Sequence, residues 1–437
     1  MAPFHLFTKV FDTDLPAAAF SMQWQSPGDV FSVLLLLGGE VISRALAQVA
    51  GTESLVAPVA FSFGWVAFSV TALLSAVGEN KLMPAPDISC RVINGRSGYA
   101  RDNSSWLIGR LVRDFEYWMP AQTKNHLQSM LDQRWEADKA SAARKQLQQQ
   151  QDEDKQPPNS HLSSTKMLDS TAATTTTTPR PTRTSLCVTV LAAAADRPAH
   201  PAPVTHDLAH LIGLATLLVQ LCVASIPAAV WGDWAVLAVT GAGAALAAAT
   251  AALPQWRRER WGCCRRRSDK AVVLTRGNGA QHALVVLGEG RGLDLEDLAA
   301  AAAAGAGAGQ MHGGGLGEAS RTGTVGAVGV LCALWVGLLV SAAGLRAHSW
   351  FLVVVGGIGM VQNVYVAGAR RGPEAAGVPL EFREVVGEAK VFDTLLEVER
   401  RYPRVGKSML DTFFPGGHLT REERARWSEV EAEVERG

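Results

Sequence analysis

The sequence predicts a mainly α-helical, multi-pass transmembrane bundle of about six helices in three hairpins. Cytosolic loops, one small β-hairpin and a helical C-terminal tail complete the expected fold. Three observations predict it. Apolar residues are bunched into paired blocks rather than spread along the chain. The charged residues, 19% of the total, fall mostly between those blocks, and the basic ones concentrate on one predicted face.

The first block is residues 30–78. Its second arm, Leu55 to Val77, runs twenty-three residues without a charge, long enough to cross a hydrocarbon core of about 30 Å. The first arm, Val30 to Ala50, opens on an apolar run and then places Glu40, Arg44 and Gln48 at i, i+4 and i+8. That spacing puts all three on one helix face, with Glu N-terminal to Arg, the favourable order for an ion pair. Its apolar residues favour insertion by about 5 kcal/mol, while two charges near mid-helix cost about 5 to 7 kcal/mol. The arm therefore spans only if Glu40 and Arg44 pair and face the bundle interior, as intramembrane ionisable groups usually do; otherwise it lies at the interface.

Residues 79–135 read as a small cytosolic folded unit. Asn94-Gly95 signals a turn, and a helix is expected from about Ser104 to Met119 with Asn103 at its N-cap. Trp106, Tyr117 and Trp118 suit either a membrane surface or packing within the unit. Residues 136–206, rich in Gln and then Thr, are expected to be a disordered linker because they bury too little apolar area to offset chain entropy.

The second hairpin covers 207–254. It holds His210, Gln220 and Pro227, turns at Trp231 to Trp234, and returns as an Ala/Gly helix with small-residue pairs at Gly241/Ala245 and Gly243/Ala247. The segment 255–323 begins with eight basic against two acidic residues between Arg257 and Arg276. Such juxtamembrane clusters belong on the cytoplasmic side. Within it, Cys263 and Cys264 are candidates for lipidation, with free cytosolic thiols the plain alternative. Residues 271–299 then read as a β-hairpin turning at Gly277-Asn278-Gly279 and followed by a short helix, with a Gly/Ala linker over 300–317 after it.

The third hairpin, 324–369, ends with Gln362 and Asn363 side by side in an apolar helix. Buried amides there either bond across helices or line a polar path. The C-terminal region, 370–437, reads as cytosolic and helical: Val385 to Arg400 is amphipathic, and Thr420-x-x-Glu423 is a capping box. All long hydrophilic regions, including the tail 1–29, fall on one face under this scheme, and both termini are expected in the cytosol.

No catalytic chemistry is legible. The six cysteines show no metal-ligand spacing, and neither H-E-x-x-H nor G-x-S-x-G occurs. Gly288-x-Gly290-x-Gly292 lacks the final glycine of a dinucleotide fingerprint, having Leu293, and Gly406-Lys407-Ser408 lacks the opening glycine of a phosphate loop, having Arg401. No catalytic, cofactor or metal residue is assigned, no cofactor is expected, and the chain is expected not to be an enzyme. The tail 1–29 has no basic run or cleavage site of a signal peptide. Expected partners are the lipid bilayer and cytosolic proteins, with no nucleic acid.

The blocks SPGDVFSVLLLLGGEVISRALAQVAG, VAFSFGWVAFSVTALLSAVGENKLMP, GMVQNVYVAGARRGPEAAGVPLEFREV and YPRVGKSMLDTFFPG resemble those of uncharacterised multi-pass integral membrane proteins of filamentous fungi. That resemblance implies membrane residence and supplies no catalytic residue. Two functions fit: a non-enzymatic scaffold presenting cytosolic loops, or a small-solute or ion transporter whose path uses Glu40, Arg44, Gln362 and Asn363.

Overall fold

The computed structural model describes residues 28–52, 58–154, 179–194, 207–262, 267–304, 316–345 and 347–436. Two bodies meet end to end, a helical bundle and an α/β domain, and the chain passes between them repeatedly.

Among the described residues, the bundle contains four helices long and apolar enough to cross a membrane. They are α6 (Leu208–Trp231), α7 (Ala235–Ala251) continuing into α8 (Pro254–Trp261), α10 (Leu316–Ala343) and α11 (Ser349–Gly368). These four helices do not confirm the finer expectation of six helices in three hairpins. The second and third pairs turn as expected, one through left-handed Gly232 and the other before His348. Their outward faces carry exposed Leu211, Leu214, Leu218, Val336, Val340 and Val361, an apolar belt suited to lipid.

The first block departs from a simple hairpin. Helix α1 (Gly28–Val49) packs along α11, with Gly38 against Met360 and Gln48 bonded to Ala369, so the two run in the same direction toward the α/β domain. Ile42, Ala45, Leu46 and Val49 are buried in the bundle core rather than spread on a surface. Helix α2 (Gly64–Gly78) is only fifteen residues, about 22 Å at 1.5 Å per residue, too short for a core of about 30 Å. Ahead of it, residues 58–63 are non-helical and buried.

The α/β domain is one six-stranded sheet of order β2-β1-β4-β5-β3-β6. Its strands are β1 (Arg91–Asn94), β2 (Ala100–Asp102), β3 (Cys187–Ala193), β4 (Ala271–Thr275), β5 (His282–Leu287) and β6 (Leu380–Gly387). Each long described segment outside the bundle contributes at least one strand, so these segments share one side of it. Pairing is antiparallel except between β3 and β5.

Alternation along the strands divides the core, as a period of two requires. Val272, Leu274, Leu284 and Val286 face α3 (Trp106–Arg113), α9 (Leu295–Ala304) and the single turn α12 (Pro373–Ala376). Val273, Val285 and Val190 face α13 (Val391–Arg401), α14 (Val405–Phe413) and α15 (Arg421–Arg436). Strand β3 is buried at all seven positions because both faces are covered and both edges paired. The open edge of β6 meets α5 (Ala121–Asp154), where the His126 ring bonds the Gly387 carbonyl.

Several expectations change accordingly. The linker placed at 136–206 instead begins inside α5, which continues to Asp154, and contains β3, an interior strand of the sheet. The helix expected over 104–119 breaks at Asp114 into α3 and a single turn, α4 (Phe115–Trp118). It packs within the molecule: Trp106 joins the bundle core while Leu107, Leu111 and Phe115 join the sheet core. The amphipathic run at 385–400 splits between β6 and α13. The β4–β5 hairpin forms as read, and so does the capping box, with Glu423 N–H donating to Thr420 Oγ1 and Thr420 N–H to the Glu423 carboxylate.

Candidate functional site

Buried polar chemistry gathers in two places. The first is the strand-like segment 58–63 inside the bundle. The Gly359 and Gly356 backbone lies against Phe61 and Phe63, and Pro58 lies against Gly213, so the segment climbs between α6 and α11 from the domain end inward. Helix α2 then starts at Gly64, deep in the bundle, beside Gly38. It descends antiparallel to α10, with Trp65 stacked on Trp335 (5.2 Å) and Ser69 Oγ donating to Cys332 Sγ (3.7 Å). Its last turn leads to Leu82, whose N–H donates to Glu259 at the domain end. Residues 58–78 therefore enter and leave the bundle at the same end.

A non-helical backbone at such depth needs its groups satisfied by protein. Side-chain amides do this. Gln362 donates to the Pro58 carbonyl (2.8 Å) and accepts from Ala60 N–H (3.1 Å). Asn363 donates to the Ala60 carbonyl and to Ser62 Oγ, both at 3.1 Å. Gln220 donates to the Phe61 carbonyl (2.8 Å), and Trp65 Nε1 adds a second donor to Ala60 (2.9 Å). At the start of α2, the Trp65 and Val66 N–H groups reach Ser62 and Phe63 carbonyls.

Glycines make the room. A Cβ on Gly359 would overlap the Phe61 carbonyl, and one on Gly243 would overlap the Phe61 ring. Gly243, expected to bring two helices together, instead houses an aromatic side chain. Phe61 also stacks on Trp335 at 6.3 Å, and the cavity on the Trp335 side, beside Trp256 and Phe68, is small, about 10 Å³.

The second place is the junction between bundle and domain. Arg110, Arg260 and Arg371 are 4%, 3% and 7% exposed. Arg260 donates to the Ala47, Gln48 and Ala50 carbonyls and to Ala376, and Arg371 donates to Gln48. These are the orphan carbonyls at the C-terminus of α1, where cations are favoured. Arg371 also pairs with Asp207 at 2.6 Å, and its N–H meets Asp114. Arg110 pairs with Asp87 at 2.8 Å and donates to Ala367. Arg113 bridges Asp87 and Asp114.

Burial raises the Asp207 carboxyl, but the His210 hydrogen bond and the Arg371 charge outweigh it and hold the group at about 2. Burial, and then the charge of Arg113, lower Arg110 to about 10. In the sheet, burial pushes the thiols of Cys90 and Cys187 up to about 11 and about 12.

The predicted polar stripe is divided. Glu40 and Arg44 pair at 2.6 Å as the spacing implies, but their side chains are 76% and 46% exposed on the outer face of α1. They do not face the bundle interior, because Ile42, Ala45 and Leu46 take that side. Gln48 is buried and caps Ala369 (2.8 Å). Gln362 and Asn363 are buried and committed to the segment 58–63. Cys263 and Cys264 lie outside the described residues. Sequence reasoning noted Gln220 and the basic residues that include Arg260 but gave neither a bonding role; a lone amide in an apolar helix was the available signal for the first.

In the domain, an open cleft of about 560 Å³ lies between α3–α4 and the β4–β5 turn, lined by Arg113, Glu116, Arg183, Arg276, Asn278 and His282. Burial lowers the His282 ring's affinity for a proton. Among the described residues, no three His, Cys, Asp or Glu side chains cluster as metal ligands. No family model, curated protein or solved structure matches the chain.

Proposed function

We propose that this is a non-enzymatic membrane scaffold that holds a rigid α/β domain at the cytosolic face and binds acidic segments of partner proteins. One observation carries the reading. The described amide donors of the bundle interior are used to hold its own backbone, whereas exposed arginines line an open cleft in the domain. Arg183 and Arg276 are both exposed there. The cytosolic assignment rests on the basic residues at the domain end of the bundle, Arg257, Arg258, Arg260, Arg370 and Arg371. The far end carries exposed Trp231, Trp234 and Trp350, side chains that favour the interface.

The test is charge reversal rather than truncation. Removing 380–437 would delete β6, which pairs along the whole of β3, together with the helices covering one sheet face. Arg183→Glu with Arg276→Glu should instead strip acidic partners from the protein purified in detergent while leaving its unfolding temperature unchanged. A partner set identical to wild type rejects the reading.

Transport is the second reading, favoured by the half-length helix beginning deep in the bundle, as discontinuous helices do in many transporters. Gln362→Leu should then abolish solute flux in proteoliposomes at equal protein incorporation. Flux no higher than in empty vesicles for the wild type excludes it.

A further inference from the structure

The arginine junction encloses a cavity of about 10 Å³, room for one water-sized centre. Its walls include Gln48, Trp106, Arg110, Asp114, Arg260 and Arg371. Three of these residues are buried guanidinium groups, and each keeps an N–H without an acceptor among the described residues: Nη1 of Arg110, Nε of Arg260 and Nη2 of Arg371. The carboxylate in the wall is already engaged, since Asp114 accepts from Arg113 Nε (2.7 Å) and Arg371 N–H (3.3 Å).

Charge is unbalanced in the same direction. Arg110, Arg113 and Arg371 have Asp87, Asp114 and Asp207 as partners, whereas among the described residues Arg260 reaches carbonyls and the Trp261 ring but no carboxylate. The C-terminal dipole of α1 offsets roughly half a charge, and an uncompensated buried cation is costly. A water offers two lone pairs to three cationic donors and no charge. A monatomic anion accepts from all three and supplies the missing charge.

We propose that this cavity is a binding site for a single halide ion, with chloride its physiological occupant, and that the ion locks the bundle to the α/β domain. The ion accepts N–H groups from helix α3, helix α8 and the segment after α11, elements that otherwise meet mainly through backbone carbonyls. Anions too large for one water-sized centre are excluded.

The experiment is thermal unfolding of the full chain in detergent at constant ionic strength, exchanging gluconate for chloride or bromide. A saturable rise of about 2–4 °C is expected with either halide and none with gluconate. Screening by salt acts equally in all three, so it cannot mimic this result. Arg260→Gln should abolish the halide dependence; if that variant does not fold, anomalous scattering from bromide in wild-type crystals should locate the ion among Arg110, Arg260 and Arg371. Equal unfolding temperatures in chloride and gluconate overturn the proposal and leave the cavity to water. So does bromide found only elsewhere.

Discussion

The segment 58–63 and the arginine junction solve one problem with different chemistry. Both bury main-chain carbonyls that no helix or sheet satisfies. Inside the bundle the donors are neutral amides, Gln220, Gln362 and Asn363. At the junction they are guanidinium groups, Arg110, Arg260 and Arg371. Depth explains the difference. A charge in hydrocarbon costs several kcal/mol even on the most lenient scale, whereas an amide satisfies a carbonyl without that penalty. At the domain end, carboxylates are available to pair the arginines, and the attraction between bodies is correspondingly stronger and less forgiving of loss.

The comparison sharpens first at the junction. Arg371→Leu should cost about 3–5 kcal/mol, because it strands Asp207 and the Gln48 carbonyl together. Thermal unfolding in detergent measures this, and a cost below about 1 kcal/mol would make the junction incidental. Next comes the bundle. Gln362→Leu leaves the Pro58 carbonyl and Ala60 N–H unsatisfied, at about 1–3 kcal/mol for each group. Gly359→Ala forces the Phe61 carbonyl aside and should cost about 1–3 kcal/mol by overpacking. Were Gly359→Ala neutral, the segment would not be held against α11.

Of these two regions, acid acts only on the junction. Asp207 titrates near 3.8 when unfolded and about 2 when folded, so its pairing adds stability above pH 4 and loses it as pH falls toward 2. Asp207→Asn should flatten that part of the stability profile. The smallest effect belongs to Glu40→Gln with Arg44→Leu. That pair is exposed, and its loss should change stability by less than about 1 kcal/mol.

What the sequence revealed follows from the range of the forces involved. Four apolar helices, the β4–β5 hairpin and the capping box at Thr420 are local patterns, and each was legible. Leu55–Val77 was misleading because a charge-free stretch reads the same whether it crosses or turns back. Pro58 and Gly64 are the local breaks, but the amides that stabilise a non-helical stretch lie about 160 and 300 residues away in the chain. The strand Cys187–Ala193 was hidden by its polar surroundings. Its Val188, Thr189 and Val190 are β-prone, yet their burial depends on β5 and β6 closing on either edge. Glu40 and Arg44 were correctly paired by spacing, but spacing does not say which way a helix face points.

The central claim is that residues 58–78 turn back within the bundle rather than cross it. Single cysteines at Thr52 and Glu79, in a chain whose native cysteines are replaced, can be labelled in sealed vesicles with a maleimide that does not cross membranes. The account predicts that both positions react from the same side as the C-terminus. Labelling of Thr52 and Glu79 from opposite sides would mean a complete crossing, and would contradict it.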